Sequence, residues 1–368
     1  MHVLHVIDGL GLGGAERMAV DIANATVADG HRVSFCVTRD VTTLVPHLDP
    51  GIELLVLARR SKIDIRATAK LVRFVQSNPV DVIHVHMRSV FAYVSLLRIV
   101  RALRAPIIFH DHFGATDAHT HVPLWFRVGA RLLSHYVGVY PPLRDWAISA
   151  GVPPERASVI ENALDLRRIS GAPKHDLRSE LGLAPEIQLG ILVATIRHVK
   201  GIDILLDAVT RCRTRAKFHI AIAGAYGEPE YAAEIQARLA RDPRLSGVTL
   251  LGGRMDVPSL LHDADFALLT SRSESGPLVL IEYLAAGLAI VATRVGDIGR
   301  RLEGSGIAGF VNPKDPAELA AAIDDLVELP VADRRIRAEA GRAVIDAQWS
   351  IATVIKRWYA LYDSAIRS

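Results

Sequence analysis

The strongest constraint on this chain is its rhythm. Short apolar runs alternate with segments whose apolar residues recur at helical spacing: HVLHVI, then 15–28; VSFCVT; a basic segment, 62–77; VDVIHVH, then 89–103; PIIFH; and SHYVGVY. Repeated strand-then-helix patterning specifies parallel strands joined by crossover helices. A polar stretch, RRISGAPKHDLRSELGLAPE (167–186), interrupts the pattern, and a second series follows: ILVATI, FHIAIAG, VTLLG, DFALLT, AIVAT and GFVN. The 368 residues exceed one ordinary core, and half of them are hydrophobic. Two doubly wound α/β domains are expected, with a linker near 170–185.

The totals exclude several partners. Net charge is +3, made of +4 over residues 1–170 and −1 over the remainder, too little for a dedicated nucleic-acid binder. Cys36 and Cys212 lie in different halves and form neither a C-x-x-C pair nor a disulfide framework, which suits a reducing compartment. MHVLHVIDGL has no basic leader, and no apolar stretch reaches the length that spans a bilayer. A cytoplasmic setting is expected.

In doubly wound sheets, ligands bind beyond the carboxyl ends of the strands. The first such loop reads GLGLGGAERMA, where Gly9, Gly11 and Gly14 spell the dinucleotide fingerprint G-x-G-x-x-G. With Arg39 and Asp40 at the end of the next apolar run, a dinucleotide-dependent oxidoreductase is one reading.

The stretch SRSESGPLVLIEYLAAGLAIVAT (271–293) points elsewhere. Pro277 suits the first turn of a helix and Gly287 its end, which predicts a helix over 277–286 between two strands. Glu274 then lies in the loop before the helix and Glu282 more than a turn inside it. A carboxylate flanked by Leu278, Ile281 and Leu284 needs hydrogen-bond donors if it is buried, and a vicinal diol such as a ribose supplies two. The amides of Gly276, Leu278 and Val279 at the helix start offer a seat for phosphate.

E-S-G-P-L-V-L-I-E-Y-L-A-A-G resembles the E-x7-E motif of the retaining nucleotide-sugar glycosyltransferases of family 4. GLGGAERMAVDIA, DVIHVH, PIIFHDHFG, LRDWAISAGVPPERASVIENALD, VKGIDILLDAV and LLGGRMDVPSLLHDADFALL match the same family in order and spacing. The resemblance implies the GT-B fold: residues 1–170 as an acceptor-binding Rossmann-like domain, 171–345 as a nucleotide-sugar domain, and 346–368 as a helix packing back on the first.

It also implies roles. Glu274 contacts the donor sugar and Glu282 holds the ribose. His112, rather than His110, approaches the sugar; Gly13 and Gly14 face the diphosphate and acceptor. Arg197 and Lys200 neutralise the diphosphate, Gly276, Pro277 and Leu278 complete the phosphate seat, and backbone near Gly253, Arg254 and Met255 reads the base. No cofactor and no metal are implied, because the departing phosphate takes the acceptor proton in a front-face displacement. The partners implied are a nucleotide-sugar donor and a glycan or lipid-linked acceptor, with sugar-nucleotide epimerisation as another activity of the same fold. The chain departs from the family pattern at Thr195, where an Arg is usual, with Arg197 at a shorter spacing, and at Ser275, Gly276, Ala289, Glu161, Ala163 and Arg300.

Three H-x-H pairs, His84/His86, His110/His112 and His119/His121, raise a metal question, since alternate strand residues share a face. Core packing or substrate contact explains them more simply than a metal. Arg66, Lys70 and Arg73, and the arginines 98, 101, 104, 127 and 131 accompanied by Phe91, Tyr93, Trp125 and Phe126, form the pattern of an interfacial membrane patch and equally of a solvated helix face. Peripheral contact with the cytoplasmic membrane face is one expectation from it.

Overall fold

The computed structural model describes residues 1–61, 64–100, 102–112, 122–173 and 175–367. His119, His121 and Arg101 lie outside the described residues. The chain divides into two compact units, residues 1–163 with 351–368, and residues 164–350.

The first unit is built on seven parallel strands: β1 (His2–Ile7), β2 (Arg32–Val37), β3 (Glu53–Val56), β4 (Val82–His86), β5 (Ile107–Asp111), β6 (His135–Gly138) and β7 (Ala157–Val159). Their spatial order is β3-β2-β1-β4-β5-β6-β7, which places the doubly wound switch between β1 and β4. The central strands β1, β4 and β5 are buried along their whole length. Apolar faces of the crossover helices cover the sheet, with Phe91, Phe109, Phe126 and Tyr136 in one core layer.

The opposite face is closed by the helix Ile351–Arg367, whose Val354, Ile355, Trp358 and Tyr362 pack with Val3, Met18, Val82, Ile108 and Val137. The segment 346–368, expected as one helix packing on the first unit, is divided: residues 346–348 end the helix Val331–Gln348, Trp349 sits in the core of the second unit, and only the helix from Ile351 packs on the first sheet. Leu164 and Ser350, where the chain enters and leaves the second unit, pair as a parallel bridge, and Leu164 N donates to Trp349 O at 2.9 Å.

The second unit has six parallel strands: β8 (Gln188–Val193), β9 (Phe218–Ala223), β10 (Val248–Gly252), β11 (Phe266–Leu269), β12 (Ala289–Thr293) and β13 (Ala308–Val311). Their order is β10-β9-β8-β11-β12-β13. The stretch expected as a linker is folded into this unit: residues 167–170 and 177–180 are short helices whose Ile169 and Leu177 are buried in its core. The helix after β11 runs Leu278–Ala286, one residue later than the sequence predicts, because Pro277 is extended and serves as its cap. Gly287 ends it in the left-handed conformation at φ 73°, as expected of a C-terminal glycine. Among the described residues, no helix is long and apolar enough to cross a membrane.

Candidate functional site

In the second unit, Glu274 sits in the loop between β11 and the helix Leu278–Ala286. Its Oε1 accepts from Lys200 Nζ at 2.6 Å and from Ser271 Oγ at 2.6 Å, and its side chain is 11% exposed. Lys200 is held there by backbone. Gly201 adopts φ 65° and lies so close to Thr270 that a Cβ on it would come within 2.2 Å of Thr270 O. Thr270 Oγ1 donates to Lys200 O at 2.9 Å, and Arg272 N to Val199 O at 2.8 Å. Arg272 also forms a fork with Asp203, whose hydroxyl partner is Tyr231. Burial acts to raise the Asp203 carboxyl, but the hydrogen bonds from Arg272 and Tyr231 outweigh it and hold it at about 2.

Glu282 lies four residues into the same helix and is buried among apolar neighbours. Its Oε1 accepts from Arg168 Nη2 at 3.2 Å. Tyr283, fully buried, accepts from Val193 N at 2.7 Å and donates to Leu268 O at 3.2 Å, which fastens the helix to the ends of β8 and β11. The first-turn amides of Leu278 and Val279 precede the first intrahelical bond, from Leu280 N to Pro277 O. Gly276 and Pro277 are buried beside them. Gly296, at φ 70°, backs this loop: a Cβ there would meet Ser275 O at 2.9 Å. The loop and helix start therefore present a cation paired with a carboxylate and, among the described residues, first-turn amides of Leu278 and Val279 with no backbone acceptor, a set that suits a phosphate joined to a sugar.

Two predicted residues are engaged away from Glu274. Arg197, an exposed neighbour of Lys200 in sequence, turns its Nε to Glu228 at 3.1 Å. Arg254 is enclosed by Asp256 and Glu180, at 2.7 and 2.9 Å, and these hydrogen bonds raise its already high pKa further. Sequence reasoning missed Arg168, which comes to Glu282 from 114 residues upstream, and Ser271, three residues before Glu274. The second was readable from proximity alone; the first was not.

In the first unit, Gly13 caps the helix Gly14–Ala28 and accepts from Arg17 N at 3.0 Å. Neither Gly13 nor Gly14 has a positive φ, and the atoms that a Cβ on Gly13 would strike belong to the Glu16 carboxylate. That carboxyl is raised by burial. Asp8, at the end of β1, accepts from Thr38 Oγ1 at 2.6 Å and Arg59 Nη2 at 3.1 Å, while Arg39 and Asp40 are exposed.

His112 follows β5 and is partly buried, whereas His110 lies inside the strand and is fully buried. His112 is not isolated: its Nε2 is 3.3 Å from His86 Nδ1, and His86 Nε2 is 3.0 Å from His5 Nδ1. His84 pairs through Nδ1 with Tyr362 Oη at 2.8 Å. Nitrogens of His5, His84 and His86, and of His86, His110 and His112, converge closely enough for either trio to hold a metal ion. Desolvation lowers His5 and His112 to about 3, and His84, His86 and His110 well below the ordinary value.

Residues 12–168 match the family model described as Glycosyltransferase Family 4, and residues 188–328 match the one described as Glycosyl transferases group 1. D-inositol 3-phosphate glycosyltransferase 2 of Catenulispora acidiphila is 30% identical over 189 residues, 49% of this chain and 44% of that protein. Glycogen synthase of Mycobacterium tuberculosis is 30% identical over 208 residues, 55% of this chain and 48% of that protein. The chain thus spans about half the length of the curated relatives it matches. HepE of Anabaena, solved in complex with UDP and glucose, has the same fold, with a TM-score of 0.83 at 22% identity over 99% of this chain and 100% of that one. Both family models are glycosyltransferase models, in line with the transferase reading of the chain. The chain has the GT-B fold and carries a Glycosyltransferase Family 4 domain in its first unit and a Glycosyl transferases group 1 domain in its second.

Proposed function

We propose that the chain moves a sugar, with retention of configuration, from a nucleoside-diphosphate sugar to a hydroxyl of a glycan or lipid-linked acceptor in polysaccharide or glycolipid assembly. The observation that carries the reading is the Lys200–Glu274 pair at the start of the helix that also bears Glu282. In this reading Glu274 binds the donor sugar's hydroxyls and Glu282 the ribose. Lys200 has three N–H donors and gives one to Glu274, so the others serve the diphosphate. The bond between the anomeric carbon and the phosphate oxygen breaks as the acceptor oxygen attacks the same face. The leaving phosphate takes the acceptor's proton, and Lys200 with the amides of Leu278 and Val279 stabilises the charge that grows on it. This chemistry needs no cofactor or metal, and none is invoked. Arg197 joins the diphosphate only by leaving Glu228, and Arg254 supports the base-binding loop rather than touching phosphate.

A neighbour of the same fold binds UDP and UDP-glucose, which makes UDP-glucose the first donor to try. The test is a thermal-shift panel of UDP-, GDP- and ADP-sugars, followed by NMR of the product's anomeric proton. Stabilisation by one base and a product with the donor's anomeric configuration are expected. Inversion, or stabilisation by NAD(P) alone, overturns the reading.

A membrane-bound acceptor has its own support. The packed helices Arg88–Ile99 and Leu124–Ala130, with the residue after the first of them, leave Leu96, Ile99, Val100, Leu124, Trp125 and Val128 exposed, beside the exposed Arg104, Arg127 and Arg131. Apolar side chains ringed by arginine suit an anionic membrane surface.

A further inference from the structure

The histidines of the first unit follow from strand register. β1, β4 and β5 are neighbours, His5 lies opposite His84, and His86 lies opposite His110. Since alternate residues share a face, five imidazoles stack in one layer, with ring centroids of neighbours 3.8–5.6 Å apart. Three of them form a hydrogen-bonded line, His5 Nδ1 to His86 Nε2 at 3.0 Å and His86 Nδ1 to His112 Nε2 at 3.3 Å.

A neutral imidazole has one N–H and one lone pair. His86 uses both nitrogens in the line, so it donates through one and accepts through the other. The whole line therefore has only two polarities. In one, His112 Nε2–H donates inward, His86 Nε2–H donates to His5 Nδ1, and the last proton sits on His5 Nε2. That nitrogen is buried, and it has no hydrogen-bond partner among the described residues. The flat stacking of His5 on Phe35, with planes 9° apart, keeps an N–H in the ring plane from pointing at the phenyl face. In the other polarity, His5 Nδ1–H donates to His86, His86 Nδ1–H donates to His112 Nε2, and the third proton emerges on His112 Nδ1. The orphan at His5 is then a lone pair, which is less costly to bury than an orphan N–H.

We propose that His86 is a positioning residue: with His5 behind it, it locks His112 in the Nδ1–H tautomer, so that His112 presents a hydrogen-bond donor and not a base. That the donor meets a sugar oxygen rests on the proposed function; the tautomer itself does not. The alternative use of these nitrogens, as ligands to a divalent metal, lacks charge compensation. Among the described residues, none of the five histidines hydrogen-bonds to a carboxylate, and a doubly charged ion in this core would stand uncompensated.

The test is long-range 1H–15N correlation NMR on the full chain with 15N-labelled histidine near neutral pH, which distinguishes protonated from bare ring nitrogens. The His112 signals are identified by their loss in His112→Gln. Expected is protonated Nδ1 and bare Nε2 for His112, shifting toward the Nε2–H form in His86→Phe. His86→Phe should also lower kcat roughly ten- to hundredfold with KM little changed, and His86→Gln should recover part of it. Protonated Nε2 on His112 in the native chain overturns the proposal, as does an unchanged His112 tautomer in a folded His86→Phe. About one equivalent of zinc, copper or nickel in the purified chain by elemental analysis overturns it as well. If His86→Phe does not fold, the native-chain tautomer decides alone. Full transfer by His112→Gln with the predicted tautomer intact would refute the sugar contact and leave the imidazole line standing.

Discussion

Lys200 Nζ lies 2.6 Å from Glu274 Oε1 because Gly201, the residue after the lysine, is pressed against the carbonyl of Thr270 on the other loop. The ion pair is thus set by backbone contact between two strand-to-helix connections. Removing either charge should have different effects. Glu274→Ala is expected to lower transfer at least a hundredfold while nucleoside diphosphate still stabilises the protein in a thermal shift. Lys200→Ala should lose that stabilisation as well. Undiminished transfer by Glu274→Ala would remove this glutamate from the chemistry.

Arg168 and Glu282 should couple. With the Glu282 side chain only 12% exposed, Arg168→Ala leaves a poorly solvated carboxylate, at a cost of about 1–3 kcal/mol in the stability of the second unit. Glu282→Ala should weaken nucleotide binding. A double-mutant cycle read by urea denaturation and by calorimetric titration separates the two effects; purely additive stabilities would mean the pair does not interact.

Gly201→Ala tests the backbone contact directly. A methyl group at φ 65° and 2.2 Å from a carbonyl oxygen cannot be accommodated in place. A loss on the order of 2 kcal/mol or more is expected, along with reduced nucleotide affinity as Lys200 is displaced. Wild-type melting behaviour in this variant would show the loop to be pliable.

The first unit, with its five stacked histidines lowered by burial, should be the more sensitive to mild acid, since among the described residues His219 is the second unit's one histidine lowered in the same way. Burial holds His5 and His112 at about 3, far below the ordinary 6.5, so the unfolded chain binds protons that the native first unit refuses. Stability of that unit therefore rises with pH across this interval and is progressively lost as pH falls from 6.5 toward 3. Asp203, held at about 2 against an ordinary 3.8, contributes above 3.8 and loses its contribution only between that value and 2. Melting curves from pH 8 to pH 3 should show the first unit failing before the second, and His5→Phe should shallow the earlier limb.

The arginine-ringed helices should bring the chain to anionic vesicles. Co-sedimentation with phosphatidylglycerol liposomes at low salt is expected, weakened by salt and by Trp125→Ala or Arg127→Glu. No binding at low salt would leave the exposed Leu124 and Trp125 without this role.

Strand patterning revealed every strand of the second unit, because each is an apolar run with helical segments on both sides. In the first unit it missed β3 and β7, the two edge strands. ELLV keeps Glu53 and Leu54 in solvent, and ASV has only three residues, so neither is a continuous apolar run. Glu274 and Glu282 stood out by spacing and neighbours, and Lys200 only through the family resemblance. Arg168 did not, since its partner is fixed by tertiary packing. The imidazole line was hidden for a related reason: H-x-H shows that two rings share a face, but only strand register shows that His5 and His86 touch. The same packing turned Arg197 toward Glu228, a residue no local pattern joins to it.

Leu164 and Ser350 meet at the gate through which the chain leaves the first unit and comes back. During synthesis, this reverses the usual sequence of events. The second unit is fully translated before Trp358 and Tyr362 exist, whereas the first sheet, begun at His2, keeps its histidine face bare until those two rings arrive. The part made first is thus completed last, and a ribosome stalled within the final helix would display an unfinished N-terminal sheet to chaperones and proteases.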